Sequence, residues 1–193
     1  MDTARLTLRP FQVNDSPELH RILNECFGAD PASDPQQALA ERHSYAHWSA
    51  LSQEWFAKLH QPPYGERAVV LRASGALIGA VGLVPCLDRF EQIAGLRAGL
   101  HDRGFSTTEV GLYWAIDPAQ QRQGYAAEAA RALIDYAFGT LNIPRIIATT
   151  EYDNMASQGV MRKLGMRSLR NPLPSPPWLQ VVGVLENKPT PSG

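Results

Sequence analysis

The sequence predicts an α/β (α+β) domain around one mixed sheet, and three observations predict it. The chain has 193 residues, 44% of them hydrophobic and 19% charged, enough apolar material for one core. Segments with two-residue alternation interleave with segments of helical period. The resulting order is strand, two helices, three strands, helix, strand, helix, strand, the pattern of a sheet covered by helices.

Each element has a local reason. Residues 5–10, Arg5-Leu6-Thr7-Leu8-Arg9-Pro10, alternate polar with apolar and read as the first strand. Asn14-Asp15-Ser16-Pro17 is a helix start, with capping side chains and an early proline. Leu19, Ile22, Leu23 and Phe27 give the helix over residues 18–27 its apolar face. Residues 30–35 read as loop, and residues 36–60 as a second helix stopped by Gln61-Pro62-Pro63. In that helix Trp48, Leu51, Trp55, Phe56 and Leu59 are expected in the core.

Residues 68–72 and 77–84 form a predicted hairpin about Ser74-Gly75. Residues 85–107 resist assignment, since Gly95, Gly99 and Gly104 interrupt them; a connection this long is usually partly ordered or functional. A strand from Glu109 to Ile116 ends at Asp117-Pro118. After the turn Gln121-Arg122-Gln123-Gly124, the positions Ala126, Ala130, Leu133, Ile134, Ala137 and Phe138 fall on one helical face. Residues 145–150 read as a buried strand, and Asp153 or Asn154 caps a short helix ended by Gly165. Asn171 to Pro177 carries too many prolines for a central strand and reads as rigid loop. Residues 178–185 form the last predicted strand. The domain is expected over residues 1–187, with residues 188–193 as a loose tail.

Composition excludes several classes. Eighteen Lys and Arg against nineteen Asp and Glu leave a formal charge of -1, not the basic excess of a nucleic-acid binder. The longest nearly apolar run, residues 76–84, is too short to cross a bilayer, and Arg5 and Arg9 break any signal-peptide pattern, so no membrane partner is expected and the expected location is cytoplasmic. Cys26 and Cys86 have no CxxC spacing and read as buried bystanders. His43 and His47 stand one helical turn apart without a third ligand nearby, so no metal is expected.

The junction between the strand ending at Ile116 and the helix beginning near Ala126 is the best candidate for chemistry. A tight loop feeding a helix leaves amide donors unpaired, and the helix dipole adds positive potential, which suits phosphate. Gly124 and Ala126 lack bulk that would keep phosphate oxygens away. Neither Gly-Lys-Ser/Thr nor GxGxxG is present, against a nucleoside-triphosphate loop and a dinucleotide fold.

Gln121-Arg122-Gln123-Gly124-Tyr125-Ala126 resembles the Q/R-x-x-G-x-G/A signature of the GNAT acetyltransferase superfamily. The opening Arg5-Leu6-Thr7-Leu8-Arg9-Pro10 with Asp15, the helix start Gly124-Tyr125-Ala126-Ala127-Glu128-Ala129, and the blocks Asn154-Met155-Ala156-Ser157 and Lys163-Leu164-Gly165-Met166 are similar to its ribosomal-protein N-acetyltransferase (RimJ/RimL-type) branch. The resemblance implies a mixed, mostly antiparallel twisted sheet flanked by helices, with two central parallel strands splayed apart, here residues 110–116 and 145–150. It implies acetyl-CoA as co-substrate and no metal. The main chain of Trp114, Ala115 and Ile116 would pair with the pantetheine arm and donate to the oxyanion. The amides of Gln121, Arg122, Gln123, Gly124, Tyr125 and Ala126 would hold the pyrophosphate, and Asn154 would reach the pantetheine.

Two departures bear on catalysis. Arg122 stands where the family often has glycine, and Met161 stands where many members have the tyrosine that protonates the thiolate. The N-x-x-S pattern offers Ser157 as the acid instead. Glu109 is the candidate general base, needed because a lysine amine is only about one part in two thousand neutral at pH 7; its bland alternative is an exposed carboxylate at a strand start. Arg162, Lys163, Arg167 and Arg170 form a basic run suited to a phosphate or to the helix C-terminus.

The implied activity is acetyl transfer from acetyl-CoA to a primary amine, a protein N-terminus or a small molecule. Residues 85–107 and 171–177 are expected to set acceptor preference. A non-catalytic acyl-CoA-binding or regulatory module is the alternative, favoured by Met161, and a plain nucleotide-binding protein is a third. The oligomeric state stays open, a homodimer among the options.

Overall fold

Seven strands form one sheet in the spatial order β1-β2-β3-β4-β5-β7-β6 in a computed structural model that describes residues 1–96 and 106–187. In chain order these are β1 (Leu6–Arg9), α1 (Ser16–Phe27), α2 (Pro35–Lys58), β2 (Gly65–Leu71), β3 (Leu77–Asp88), β4 (Thr107–Ile116), α3 (Tyr125–Gly139), β5 (Arg145–Thr150), α4 (Met155–Leu164), β6 (Arg167–Arg170) and β7 (Val181–Glu186). The pairs β1–β2, β2–β3, β5–β7 and β6–β7 run antiparallel, whereas β4 and β5 run parallel with Gly111 opposite Ile147.

The chain packs as two compact units, each drawn from two stretches of sequence: Met1–Val84 with Tyr113–Leu133, and Pro85–Leu112 with Ile134–Gly193. In the first unit Phe11, Leu19, Leu23, Ala68, Val70 and Ala115 share a core. Gly79 is required there by proximity, because a Cβ at that position would lie 2.1 Å from the Ala115 carbonyl oxygen. In the second unit Phe90, Ile93, Ile147, Leu179, Val182 and Val184 share another.

Helix starts follow their capping residues. Asp34 accepts from the amides of Gln36 and Gln37, both at 2.9 Å, and Pro35 opens α2. Asn154 accepts from the Ser157 amide at 3.0 Å and starts α4, which ends at Gly165 in the left-handed region.

Several expectations are corrected. Trp48, Leu51, Trp55 and Leu59 are exposed, not core. The residues α2 buries are Ala46 and Ser49, and the Ser49 hydroxyl donates to the Glu66 carbonyl at 3.3 Å; the helix approaches β2 too closely for a large side chain between them. β3 continues through Pro85 to Asp88; its pairing with β2 ends with Leu83 opposite Gly65, so the missing proline N–H costs that ladder nothing. β6 occupies part of the basic run and had no alternation to announce it. The last strand begins at Val181, because Pro177 to Leu179 form a 3-10 turn. Within residues 85–107, two further 3-10 turns occupy Phe90–Gln92 and Ala94–Leu96, while residues 97–105 and the expected tail, 188–193, lie outside the described residues.

Candidate functional site

The loop after β4 is tied down by side chains on both sides. Asp117 accepts from the Ala119 amide at 2.9 Å, and its other oxygen accepts from Arg21 at 2.5 Å. Gln121 donates its side-chain amide to the Ile116 carbonyl at 3.0 Å, folding the loop back on the strand end. Arg122 (φ 63°) and Gly124 (φ 87°) both adopt the left-handed region, so the chain curls before α3 begins at Tyr125. The amide of Glu128 bonds the Gly124 carbonyl at 3.0 Å. Among the described residues, the amides of Arg122, Gln123, Gly124, Tyr125 and Ala126 have no hydrogen-bond acceptor. Such a run of free donors at a helix N-terminus suits a phosphate or diphosphate.

A cation stands beside it that sequence reasoning missed. Arg5 donates from Nε to Glu128 at 2.7 Å and from a terminal nitrogen to the Gln123 carbonyl at 3.1 Å, and its guanidinium lies 4.4 Å from the Tyr125 ring centre. Thr3 and the Arg5 amide also donate to Glu128, which sits in the first turn of α3 where a carboxylate suits the dipole. These bonds, with burial opposing them, hold the Glu128 carboxyl below its ordinary range. Nothing local to residues 1–10 signals this role, since the partner is 123 positions away.

The other expected site residues fall into two groups. Trp114, Ala115 and Ile116 end β4 in the first unit, as does the phosphate-type loop. The Ile116 carbonyl is occupied, by Gln121 and by the Cys26 thiol at 3.4 Å. Asn154, Ser157 and Glu109 belong to the second unit. Asn154 spends its side-chain oxygen on capping α4, and the Ser157 hydroxyl has no partner among the described residues. Glu109 is not the exposed carboxylate of the bland alternative. Its side chain is 10% exposed, and both oxygens accept from Arg145, one of them from Nε at 3.0 Å.

A second polar centre, in the first unit, was not foreseen. Glu66 on β2 interacts electrostatically with Tyr45 and Arg42 of α2 and with Tyr113 of β4. Burial raises the Glu66 carboxyl above its ordinary range, against the lowering effect of Tyr45 and Arg42. Burial and the Glu66 charge also raise both phenols, which therefore stay protonated. Tyr45 also lines a cleft of about 570 Å³ between α1, residues 29–33 and α2, together with His20, Asp30, Glu41 and Arg42. Two buried nitrogens of that lining, His20 Nδ1 and Arg42 Nε, have no hydrogen-bond partner among the described residues. A lone glutamate in a strand carries no motif, so only the fold could single out Glu66.

Comparison with known proteins follows the same lines. The family model described as an acetyltransferase (GNAT) domain matches residues 5–167. Over 64 residues, 33% of this chain and 36% of the relative, the sequence is 47% identical to the uncharacterized N-acetyltransferase YnaD of Bacillus subtilis. The aligned part thus spans about a third of that curated relative's length. Among solved structures, the ribosomal-protein-S5-alanine acetyltransferase of Vibrio fischeri superposes with a TM-score of 0.66 at 17% identity, covering 98% of this chain and 97% of that one. RimL, a ribosomal-protein acetyltransferase in complex with coenzyme A, superposes with a TM-score of 0.60 at 14% identity, covering 95% of each chain. Among the described residues, no helix is long and apolar enough to cross a membrane.

Proposed function

Because the chain belongs to the GNAT acetyltransferase family, we propose that it uses acetyl-CoA to acetylate a primary amine, on a protein N-terminus or a small molecule. The observation that carries this reading is the run of free amides from Arg122 to Ala126 at the start of α3, with Arg5 beside it. That donor set fits the diphosphate of coenzyme A without a metal: five N–H groups and a helix dipole supply what a magnesium ion supplies elsewhere. We place residues 1–187 in one domain, since the family match runs through stretches of both units.

The remaining roles follow the sequence expectations. The main chain of Trp114, Ala115 and Ile116 lies along the pantetheine arm, and an N–H near Ile116 stabilises the oxyanion. Gln121, contrary to the sequence expectation, has no free amide for a phosphate, since its main-chain N–H bonds the Pro118 carbonyl at 3.4 Å and its side chain bonds the Ile116 carbonyl; it shapes the loop, and Gln123 presents its main-chain amide. The free side-chain nitrogen of Asn154 serves the pantetheine, and the unpartnered Ser157 hydroxyl protonates the departing thiolate. Glu109 acts as base only if it gives up Arg145. The balanced charge fits a cytoplasmic enzyme whose acceptor need not be strongly basic.

Thermal melting with acetyl-CoA, compared with ATP, tests the binding half. At a hundred times its dissociation constant a ligand adds about 2.7 kcal/mol of stability. Acetyl-CoA is expected to raise the melting temperature and ATP not to. Release of free CoA with a panel of peptides and small amines tests the transfer half, and binding without amine-dependent release would establish the non-catalytic module instead.

A further inference from the structure

We propose that the acceptor amine also carries a carboxylate, as an amino acid does, and that the cleft between α1 and α2 holds this carboxylate between His20 Nδ1 and Arg42 Nε. This rests on the transferase reading above and names its substrate class.

Of the described arginines that are buried or half-buried, Arg9, Arg21, Arg67 and Arg145 each hydrogen-bond a side chain. Arg42 is the exception. Among the described residues it has no hydrogen bond and no ion pair, and its Nε is buried without an acceptor. Its guanidinium lies 5.7 Å from the Tyr45 ring centre, so the side chain is held against the cleft wall. His20, on the α1 side of the same cleft, is in a similar condition. Asn24 points its side-chain nitrogen at His20 Nε2 from 3.0 Å; an amide nitrogen only donates, so Nε2 accepts and the ring proton sits on Nδ1. That Nδ1 is buried and has no partner among the described residues. Folded chains rarely leave a buried donor unpaired, and here two line one cleft of about 570 Å³. An acceptor from outside the chain answers both.

The charge pattern selects the ligand. One guanidinium and one imidazole N–H match a single negative charge, and a carboxylate has an oxygen for each. The second charge of a phosphate would meet Asp30 and Glu41, which are exposed in the same lining. Those two carboxylates favour the entry of an ammonium group, so the lining fits a molecule that carries both charges. The cleft also leads towards the proposed reaction centre. Phe27 follows His20 and Asn24 on one side of α1, and its ring stacks on Tyr113 at 6.4 Å, directly before Trp114 to Ile116. Tyr45 lines the cleft and packs on the core cluster that holds Ala115 and Tyr113. In the transfer itself the amine nitrogen bonds the acetyl carbon, and the carbon–sulfur bond breaks with its electron pair on sulfur. Of the two protons the ammonium group gives up, one goes to solvent and one neutralises the thiolate.

The test compares free amino acids with their carboxamides, which keep the amine and lose only the anion. With acetyl-CoA present, kcat/KM for CoA release by the wild type is expected to favour the best amino acid over its amide by about tenfold or more. Without acetyl-CoA, that amino acid is expected to raise the melting temperature and its amide not to. Arg42→Gln and His20→Gln are each expected to pull the acid-to-amide ratio towards one by raising KM for the acid. A merely structural role for either residue would lower the melting temperature and leave the ratio where it was. His20→Gln keeps a partner for Asn24, and it carries the test if Arg42→Gln does not fold. A wild-type ratio of one, a ratio unmoved in either variant, or an equal melting rise with the amide overturns the assignment. A wild type that neither binds acetyl-CoA nor releases CoA with any amine overturns the transferase reading instead. The acid-specific melting shift, read without acetyl-CoA, then still decides whether the cleft holds a carboxylate.

Discussion

Arg145, at the start of β5, closes its guanidinium over both carboxylate oxygens of Glu109 on β4. The pair joins the two parallel strands close to the point where Gly111 faces Ile147. Glu109→Gln leaves a half-buried guanidinium with one weaker acceptor, and we expect a loss of about 1–3 kcal/mol in denaturant unfolding. The shape of the pH–rate profile is expected to stay unchanged.

Arg122 holds a left-handed conformation that costs a non-glycine residue roughly 1 kcal/mol. Arg122→Gly is therefore expected to keep or raise stability. Any fall in acetyl-CoA affinity in that variant reports the guanidinium's contact with the phosphates, which titration calorimetry resolves.

Gly124 tests the loop from the other side. A Cβ there would meet only Arg5 at 3.5 Å, an ordinary contact, so the penalty of Gly124→Ala is conformational and about 1–2 kcal/mol. Weakened acetyl-CoA binding beyond that loss of stability would locate the phosphates at this turn.

Acid stability should depend on Asp15. Its carboxyl is raised by burial but lowered more by the two-pronged Arg9 bond, at 2.6 and 2.8 Å, and by the Gln12 amide. A folded-state pKa below the unfolded one means the stabilisation is full above about pH 4 and fades as pH falls through the lowered value. Melting temperatures of Asp15→Asn and the wild type should differ at neutral pH and converge as pH falls below that lowered value.

Burial, with Asp88 and Glu109 adding to it, pushes the Cys86 thiol up to about 11. At pH 8 such a thiol is about one part in a thousand thiolate, against roughly a quarter for a free cysteine. Alkylation of native protein at pH 8 should leave Cys86 unmodified, and rapid labelling there would contradict its placement.

What could be read from the sequence was what neighbouring residues dictate. Asp34-Pro35 and Asn154 with Gly165 announce their helices because caps act within one turn. Gly124 announces the curl before α3 because few other residues adopt it at low cost. The exposed side of α2 was unreadable, since Trp48 and Trp55 look like core until β2 is seen pressed against Ala46 and Ser49. Arg5, Glu66 and the pairing of Glu109 were unreadable for another reason. Each takes its meaning from a partner on a different element, brought near only by the folded sheet.

The bonds from Arg5 to Glu128 and Gln123 make the leading segment a strap that ties β1 to the loop and first turn of α3, where the proposed phosphate contacts lie. Trimming, nicking or fusing anything that displaces that strap would slacken the loop without altering any of the residues from Arg122 to Ala126. An inactive preparation with a modified leading segment is thus evidence about assembly rather than about chemistry.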